Sequence, residues 1–333
     1  MKIFFISPNP VWGGAATANM SIAEMLSINN TVIYNDEYNI VNVRDVIYDP
    51  FPVHRMKSSK DLLKHIIELK IDFVIWGVSM NLPYYKKLAK ELKLHGIKQA
   101  VLFHSLSISR DIKGWLIEWL TSRAIKNIDY LVFVSKFTDI SWSKYKTVRK
   151  HPSHHVIYNP IKVNQICVNF DNDRVGFVGR LSQEKQPQVF AQLSEIDDGN
   201  RYIAWGSGDL LSELKDRYPK VEFKGHSSNQ NEIYGSFDIL VMTSAFENCP
   251  MVILEAWKHG IPCVVPNVGG IPEIVKNNFT GILYDGYDVK DILSKINNIK
   301  QNYAFFSRNC SEAVKEFSFE NIKSKWNDII NYR

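Results

Sequence analysis

Cysteine is scarce in this chain: four among 333 residues, Cys167, Cys249, Cys263 and Cys310. No two stand at zinc-ligand spacing, and thiols so far apart make no disulfide framework, which points to a reducing cytoplasm. Long hydrophobic runs are lacking too; none approaches the roughly 20 residues that cross a bilayer. The opening MKIFFISPNP has a single basic residue and a short apolar run stopped by Pro8 and Pro10. It reads as a first strand, not a signal peptide. No segment repeats with a period of roughly 20 to 50 residues, which speaks against solenoids and propellers. No G-x-G-x-x-G follows a strand, so a nicotinamide dehydrogenase is disfavoured.

What is present is the composition of a globular protein, 45% hydrophobic and 23% charged. A length of 333 residues accommodates two domains, each with its own core. Charge is uneven: residues 1–165 hold 22 Lys and Arg against 13 Asp and Glu, and residues 166–333 hold 18 against 22. A basic first half suits anionic lipid headgroups or a diphosphate-bearing acceptor. An ordinary solvated surface accounts for it equally well, and no nucleic-acid partner is expected.

Short apolar runs alternate with helical patterns. In the first half the strand candidates are Ile3–Ile6, Val32–Tyr34, Phe73–Trp76, Ala100–Phe103, Leu131–Val134 and His155–Tyr158. Helical patterns at Asp61–Leu69, Tyr84–Leu94 and Gly114–Ala124 lie between them. The second half restarts with Val175–Val178, Tyr202–Trp205, Val221–Phe223, Ile239–Met242, Cys263–Val265 and Ile282–Tyr284. Alternation of this kind predicts parallel sheets covered on both faces, and so many strands predict two doubly wound α/β domains. The seam falls in the polar stretch from Asn159 to Asp173.

The chemistry concentrates between Ser244 and Gly270. Glu247 lies in a loop just after an apolar strand run, and Glu255 follows eight positions later. Pro250 suits a helix start, because it has no N–H to lose there, while Gly260 and Pro262 stop the helix. One carboxylate thus sits at the mouth of a strand-to-helix turn and the other about one turn into the helix. Between them Asn248, Cys249, Pro250, Met251 and Val252 form the turn and the helix start. Free N–H groups there suit an anion, and carboxylates suit sugar hydroxyls; together they suit a nucleotide sugar.

The whole pattern, S-x-x-E-x-x-P-x-x-x-x-E-A-x-x-x-G-x-P with Gly269, Gly270 and Glu273 in step, resembles the signature of glycosyltransferase family 4. That resemblance runs from about residue 175 to 285 and is thin before it. It implies a GT-B architecture, two Rossmann-like domains facing across a cleft, and retention of the donor's anomeric configuration. It places the acceptor on residues 1–165 and the nucleotide sugar on 166–316, with residues 317–333 returning to the first domain. Trp326, Ile329 and Ile330 give that last helix an apolar stripe; a helix that caps its own domain would show the same stripe.

Several further segments fall into place beside the signature. Gly179, Arg180 and Lys185 follow a strand, where a guanidinium and an ammonium can reach one diphosphate. They resemble the family's G-R-L-x-x-x-K element, which holds the donor diphosphate. Gly13 and Gly14 follow the first strand, where small residues let a backbone approach a ligand. The resemblance assigns that loop to the donor phosphates and part of the acceptor site. His104 closes a strand, and the family often has His there, beside the donor sugar. Gly206, Gly208, Gly225 and His226 follow two other strands and are expected to wall in the nucleoside. Asn248 and Cys249 depart from the Gly and aromatic common at that point of the family, so donor identity is not carried over.

Asp171-Asn172-Asp173 is the one D-x-D triplet that could hold a metal, but it precedes a strand in the seam and reads as linker. No metal and no cofactor are expected; a UDP-sugar is the co-substrate, and a glycan or lipid-linked glycan the acceptor. Tyr84–Leu94 and Trp115–Arg123 are aromatic–basic stretches that either lie against the cytoplasmic face of the inner membrane or bind the acceptor's lipid; Trp115, Leu116, Trp119 and Leu120 share one helical face, which core packing explains equally well. The expected activity is metal-independent transfer of a hexose or N-acetylhexosamine in bacterial O-antigen, capsule or lipopolysaccharide assembly. Within this reading Glu247 orients the sugar, Arg180 and Lys185 neutralise the leaving diphosphate, His104 bonds a sugar hydroxyl and Glu255 holds the ribose. A sugar-nucleotide epimerase on the related fold and a non-catalytic nucleotide-sugar-binding protein are the alternatives.

Overall fold

Parallel strands with both faces covered need apolar side chains on both sides, and the uninterrupted runs of this chain supply them. The structure, a computed structural model, describes residues 1–7, 13–35, 46–49, 59–77, 79, 82–107, 111–163 and 173–331. The chain divides into two units, Met1–Lys162 with Phe319–Arg333, and Val163–Ser318.

The first unit is built on β1 (Lys2–Ile6), β2 (Thr31–Asn35), β3 (Ile47–Tyr48), β4 (Phe73–Trp76), β5 (Lys98–Phe103), β6 (Tyr130–Phe133) and β7 (His154–Val156). They form one parallel sheet in the order β3-β2-β1-β4-β5-β6-β7. Alternate residues feed two cores: Phe4, Val74, Val101 and Leu131 on one face, Ile3, Ile75, Leu102 and Val132 on the other. The helices are α1 (Gly14–Ser27), α2 (Ser59–Glu68), α3 (Leu82–Leu94), α4 (Ile112–Ala124), α5 (Lys136–Trp142) and α6 (Lys146–Arg149). On one face α3 lies between α2 and α4, and α1 packs on the other.

In the second unit β8 (Arg174–Val178), β9 (Arg201–Trp205), β10 (Val221–Gly225), β11 (Ile239–Val241), β12 (Cys263–Pro266) and β13 (Gly281–Tyr284) form a parallel sheet in the order β10-β9-β8-β11-β12-β13. Its helices are α7 (Pro187–Ile196), α8 (Leu211–Arg217), α9 (Gln230–Tyr234), α10 (Met251–Lys258), α11 (Ile271–Ile274), α12 (Val289–Gln301) and α13 (Tyr303–Ala313). Strand order reverses between β8 and β11. At such a point the loops leaving the two strands part and open a crevice at the carboxyl edge.

The last helix, α14 (Phe319–Ile330), belongs to the first unit. Its first N–H, on Phe319, donates to the Ile161 carbonyl at 3.2 Å. Phe319, Ile322, Trp326, Ile329 and Ile330 are buried among Ile3, Phe5, Leu26 and Ile157.

Two differences from the sequence reading stand out. The two-residue strand β3 had no signal of its own, and β7 starts at His154, one residue before the apolar run suggests. Of the D-x-D triplet only Asp173 is described; Asp171, Asn172, Cys167 and most of the expected seam lie outside the described residues.

Candidate active site

In the second unit three loops at the carboxyl edge are zipped by backbone bonds. Gly179 N–H donates to Trp205 O at 3.0 Å, Leu181 N–H to Ser207 O at 2.9 Å, and Gly206 N–H to Gly225 O at 2.7 Å. The approach is too close for a side chain: a Cβ on Gly206, whose φ is +136°, would lie 1.9 Å from the Gly179 carbonyl oxygen. The loop after β8 is tied in turn to the loop after β11. Ala245 N–H donates to Glu184 O at 2.8 Å, and Thr243 Oγ1 donates within 2.9 Å of both Lys185 O and Gln186 O.

This bracing delivers Lys185 to Glu247. Lys185 Nζ lies 2.5 Å from Glu247 Oε1, and Ser244 Oγ donates to the same oxygen at 2.8 Å. From the far side the paired glycines hold the Glu247 backbone: Gly270 N–H donates to Glu247 O at 2.9 Å. Gly269 has φ +59°, and a Cβ there would meet that carbonyl oxygen at 1.9 Å. Glu247 is thus held at its side chain by Lys185 and Ser244 and at its backbone by Gly270, so its carboxylate is fixed in advance of any ligand. Arg180 stands apart from the pair; it is half exposed, with Glu184 Oε1 at 3.7 Å.

Pro250 caps α10 with no side-chain hydrogen bond, and no acidic residue occupies the first turn. The first N–H groups of α10 thus keep their positive end for an outside anion. Cys249, Pro250 and Met251 are buried beneath this turn, while Asn248 and Val252 keep partial exposure. Gly225 ends β10 and His226 follows it with its side chain exposed.

Glu255 is more constrained than the sequence suggested. It is buried in α10, with Tyr234 OH donating to Oε2 at 2.6 Å and Gln230 Nε2 to Oε1 at 3.0 Å. Burial raises its pKa, opposed by the Tyr234 bond and by the nearby Lys258 charge. Each carboxylate oxygen keeps a second lone pair, so a ligand hydroxyl would share them with Tyr234 and Gln230. Neither partner carried a signal, because both lie on the short helix α9, more than 20 residues before Glu255.

In the first unit Gly13 caps α1 in extended conformation, and a Cβ on Gly14 would meet no neighbouring atom. Pro10, Val11 and Trp12 lie outside the described residues. His104 follows β5 and meets Asn19 of α1, a residue the sequence reading did not single out. Asn19 Nδ2 donates to Ser7 Oγ at 2.8 Å and to Gly77 O at 2.9 Å, which turns Oδ1 toward His104 Nε2 at 2.7 Å. An acceptor at Nε2 fixes the tautomer: the neutral ring carries its proton on Nε2 and presents Nδ1 as an acceptor. Burial pulls the His104 pKa down to about 4, so the ring is neutral at pH 7.

Among the described residues no three or more His, Cys, Asp and Glu side chains gather where one metal ion could be held. Residues 172–302 match the family model described as "Glycosyl transferases group 1". The crystal structure of Anabaena Alr3699/HepE in complex with UDP-glucose is similar over 100% of both chains, with a TM-score of 0.83 at 16% sequence identity. The fold is that of the GT-B glycosyltransferases, and it is the second unit that is similar to the group 1 family. In sequence the chain is 27% identical to the O-antigen biosynthesis glycosyltransferase WbnH of Escherichia coli, over 99% of each. It is 28% identical to the UDP-Gal:alpha-D-GlcNAc-diphosphoundecaprenol alpha-1,3-galactosyltransferase of Escherichia coli, over 41% of this chain and 39% of that one.

Proposed function

We propose that this chain is a retaining glycosyltransferase of the cytoplasm. It would move a hexose or N-acetylhexosamine from a UDP-sugar to a glycan or polyprenyl-diphosphate-linked acceptor in bacterial O-antigen or lipopolysaccharide assembly. The observation that carries the reading is the Lys185–Glu247–Ser244 cluster beside the uncapped start of α10, at the reversal of strand order. The names of the relatives, an O-antigen glycosyltransferase and a UDP-Gal transferase acting on a diphosphoundecaprenol-linked sugar, support the donor and acceptor classes.

On this reading the second unit holds the nucleotide. Arg180, Lys185 and the α10 N–H groups neutralise the diphosphate; Lys185 has three donors and can bond phosphate while keeping Glu247. Glu247 Oε2 accepts a sugar hydroxyl, Glu255 the ribose hydroxyls, and the loops of Gly206, Gly208, Gly225 and His226 flank the nucleoside. The first unit supplies the acceptor surface, with Gly13, Gly14 and His104 as its candidate residues. The C1–phosphate bond breaks as the acceptor oxygen bonds C1 on the same face. The acceptor's proton passes to the departing phosphate oxygen, so no protein nucleophile is required.

The test is nucleotide release from UDP-, GDP- and ADP-sugars, with and without a lipid-linked acceptor and with EDTA. Release of UDP from one sugar, unaffected by EDTA and with an axial product linkage from an axial donor, is the expected result. Silence across the panel together with no thermal shift from any nucleotide would overturn the reading in favour of a non-catalytic protein. Inverted product would overturn only its retaining part.

A further inference from the structure

Two residues of α9 serve the Glu255 carboxylate, and they differ in what they have left to give. Tyr234 OH donates to Oε2 at 2.6 Å, and Gln230 Nε2 donates to Oε1 at 3.0 Å. Tyr234 is fully buried and stacked on His259 at 5.1 Å between centroids, and its one hydroxyl proton is spent on Oε2. Gln230 is partly exposed and carries two N–H groups on Nε2, of which Glu255 takes one. The direction of its amide is fixed as well. Lys258 Nζ, which can only donate, lies 3.3 Å from Gln230 Oε1, while the carboxylate beside Nε2 accepts. A flipped amide would set oxygen against carboxylate and N–H against ammonium. The second N–H of Gln230 therefore belongs to the same end of the amide as Glu255 Oε1.

Its place in the chain indicates what that N–H serves. Only His226 to Asn229 separate Gln230 from the end of β10. Gln230 thus follows directly on the loop expected to flank the nucleoside, and it reaches the carboxylate expected to hold the ribose. A ribose hydroxyl has one proton to donate and two lone pairs to fill. At Oε1 it finds an acceptor and a donor together; at Oε2 it finds an acceptor whose neighbour, Tyr234, has no proton left. We propose that Gln230 is a specificity-determining residue for the ribose, one vicinal hydroxyl donating to Glu255 Oε1 and accepting from Gln230 Nε2, the other donating to Oε2 and receiving nothing from Tyr234. The two hydroxyls are then held unequally, and a nucleotide lacking the one at Oε1 is rejected more strongly. This inference rests on the proposed function, since it requires a nucleoside diphosphate bound to the second unit with its ribose at Glu255.

Calorimetry on the full chain compares UDP, 2′-deoxy-UDP and 3′-deoxy-UDP. Wild type should bind both deoxy forms more weakly than UDP, and one of them about tenfold more weakly than the other, because that form leaves Glu255 Oε1 and the Gln230 N–H unpaired at once. Gln230→Leu keeps the bulk of the side chain at a partly exposed position and should melt as wild type does. It should bind UDP about tenfold more weakly. Its affinity for the more strongly rejected deoxy form should stay that of wild type, since the hydroxyl that Gln230 serves is already missing there. Two deoxy forms bound equally by wild type overturn the inference, whatever the variant does. So does a Gln230→Leu variant that loses nothing, that loses the same factor for UDP and both deoxy forms, or whose loss falls on both hydroxyls alike. The last result would make Gln230 a support for Glu255 and not a contact of the ribose. Wild type that binds no nucleoside diphosphate removes the proposed function beneath the inference; UDP bound with the deoxy forms equal removes the inference alone.

Discussion

Glu247 is the residue on which the proposed chemistry turns, and its surroundings separate its charge from its shape. Glu247→Gln keeps the volume and can still accept from Ser244, but it loses the ionic partner of Lys185. Turnover should fall by about 10²–10³, the scale of losing one preorganised charged contact, while UDP affinity by calorimetry stays near that of wild type. Wild-type turnover would remove Glu247 from the mechanism. His104 gives a second, independent test, because Asn19 holds it through Nε2. Asn19→Ala removes the contact at Nε2 and, on the proposed mechanism, should cut turnover about 10²-fold with UDP binding intact. Protonation gives a third. The folded pKa of His104, about 4, lies below its ordinary 6.5, so the unfolded chain binds the proton more tightly. Its contribution to stability is therefore complete above pH 6.5 and lost as pH falls from there toward 4. His104→Gln should flatten part of that acid limb in denaturant titrations. His151, His155 and His259, all shifted downward by burial, contribute to the same limb, as do the lowered carboxyls of Glu184, Asp197 and Glu222.

At the scale of elements, the site is a set of loops held edge to edge by backbone bonds that only glycine permits. Gly206→Ala would drive a Cβ into the Gly179 carbonyl and force the loop carrying Arg180 and Lys185 outward. A loss of about 1–3 kcal/mol from backbone strain is expected, read as a lowered Tm, together with weaker UDP binding. A variant with wild-type Tm and affinity would show that the loop is not fixed in this way. The strands behind these loops are legible in the sequence because buried parallel strands are apolar on both faces, as Ile239 to Val241 and Cys263 to Val265 are. The Glu247-to-Glu255 spacing is legible because one short turn and one helix start determine it. Asn19 is not, since a single polar residue within a helical pattern gives no hint of a partner 85 positions away. For α4, periodicity reveals a face containing Trp115 and Leu116 but not which way it points. Its inward direction is set by Glu118, whose partners Ser107 and Lys144 lie in separate segments.

For the whole molecule, the division of the chain is unequal in a consequential way. The second unit, Val163–Ser318, is one continuous segment, whereas the first is completed only by Phe319–Arg333. Five apolar side chains of α14 fill the core that α1 and the sheet leave open, and Trp326 among them is fully buried. Trp326→Ala should therefore cost about 3–5 kcal/mol, lowering the denaturation midpoint of the first unit while leaving UDP binding by the second unchanged. Fragments extend the argument. Residues 163–318 contain their whole sheet and core, so this fragment is expected to unfold cooperatively and bind UDP. Residues 1–162 would expose Phe5, Met25 and Leu26 where α14 belongs. That fragment should bind a hydrophobic dye and show no cooperative transition, and it should regain one when residues 319–333 are joined to it by a flexible linker. A cooperative transition in residues 1–162 alone would mean that α14 merely covers a core already closed. The linker-joined form would then be no more stable than the fragment, so the two measurements together decide whether the last helix builds the first unit or only rests on it.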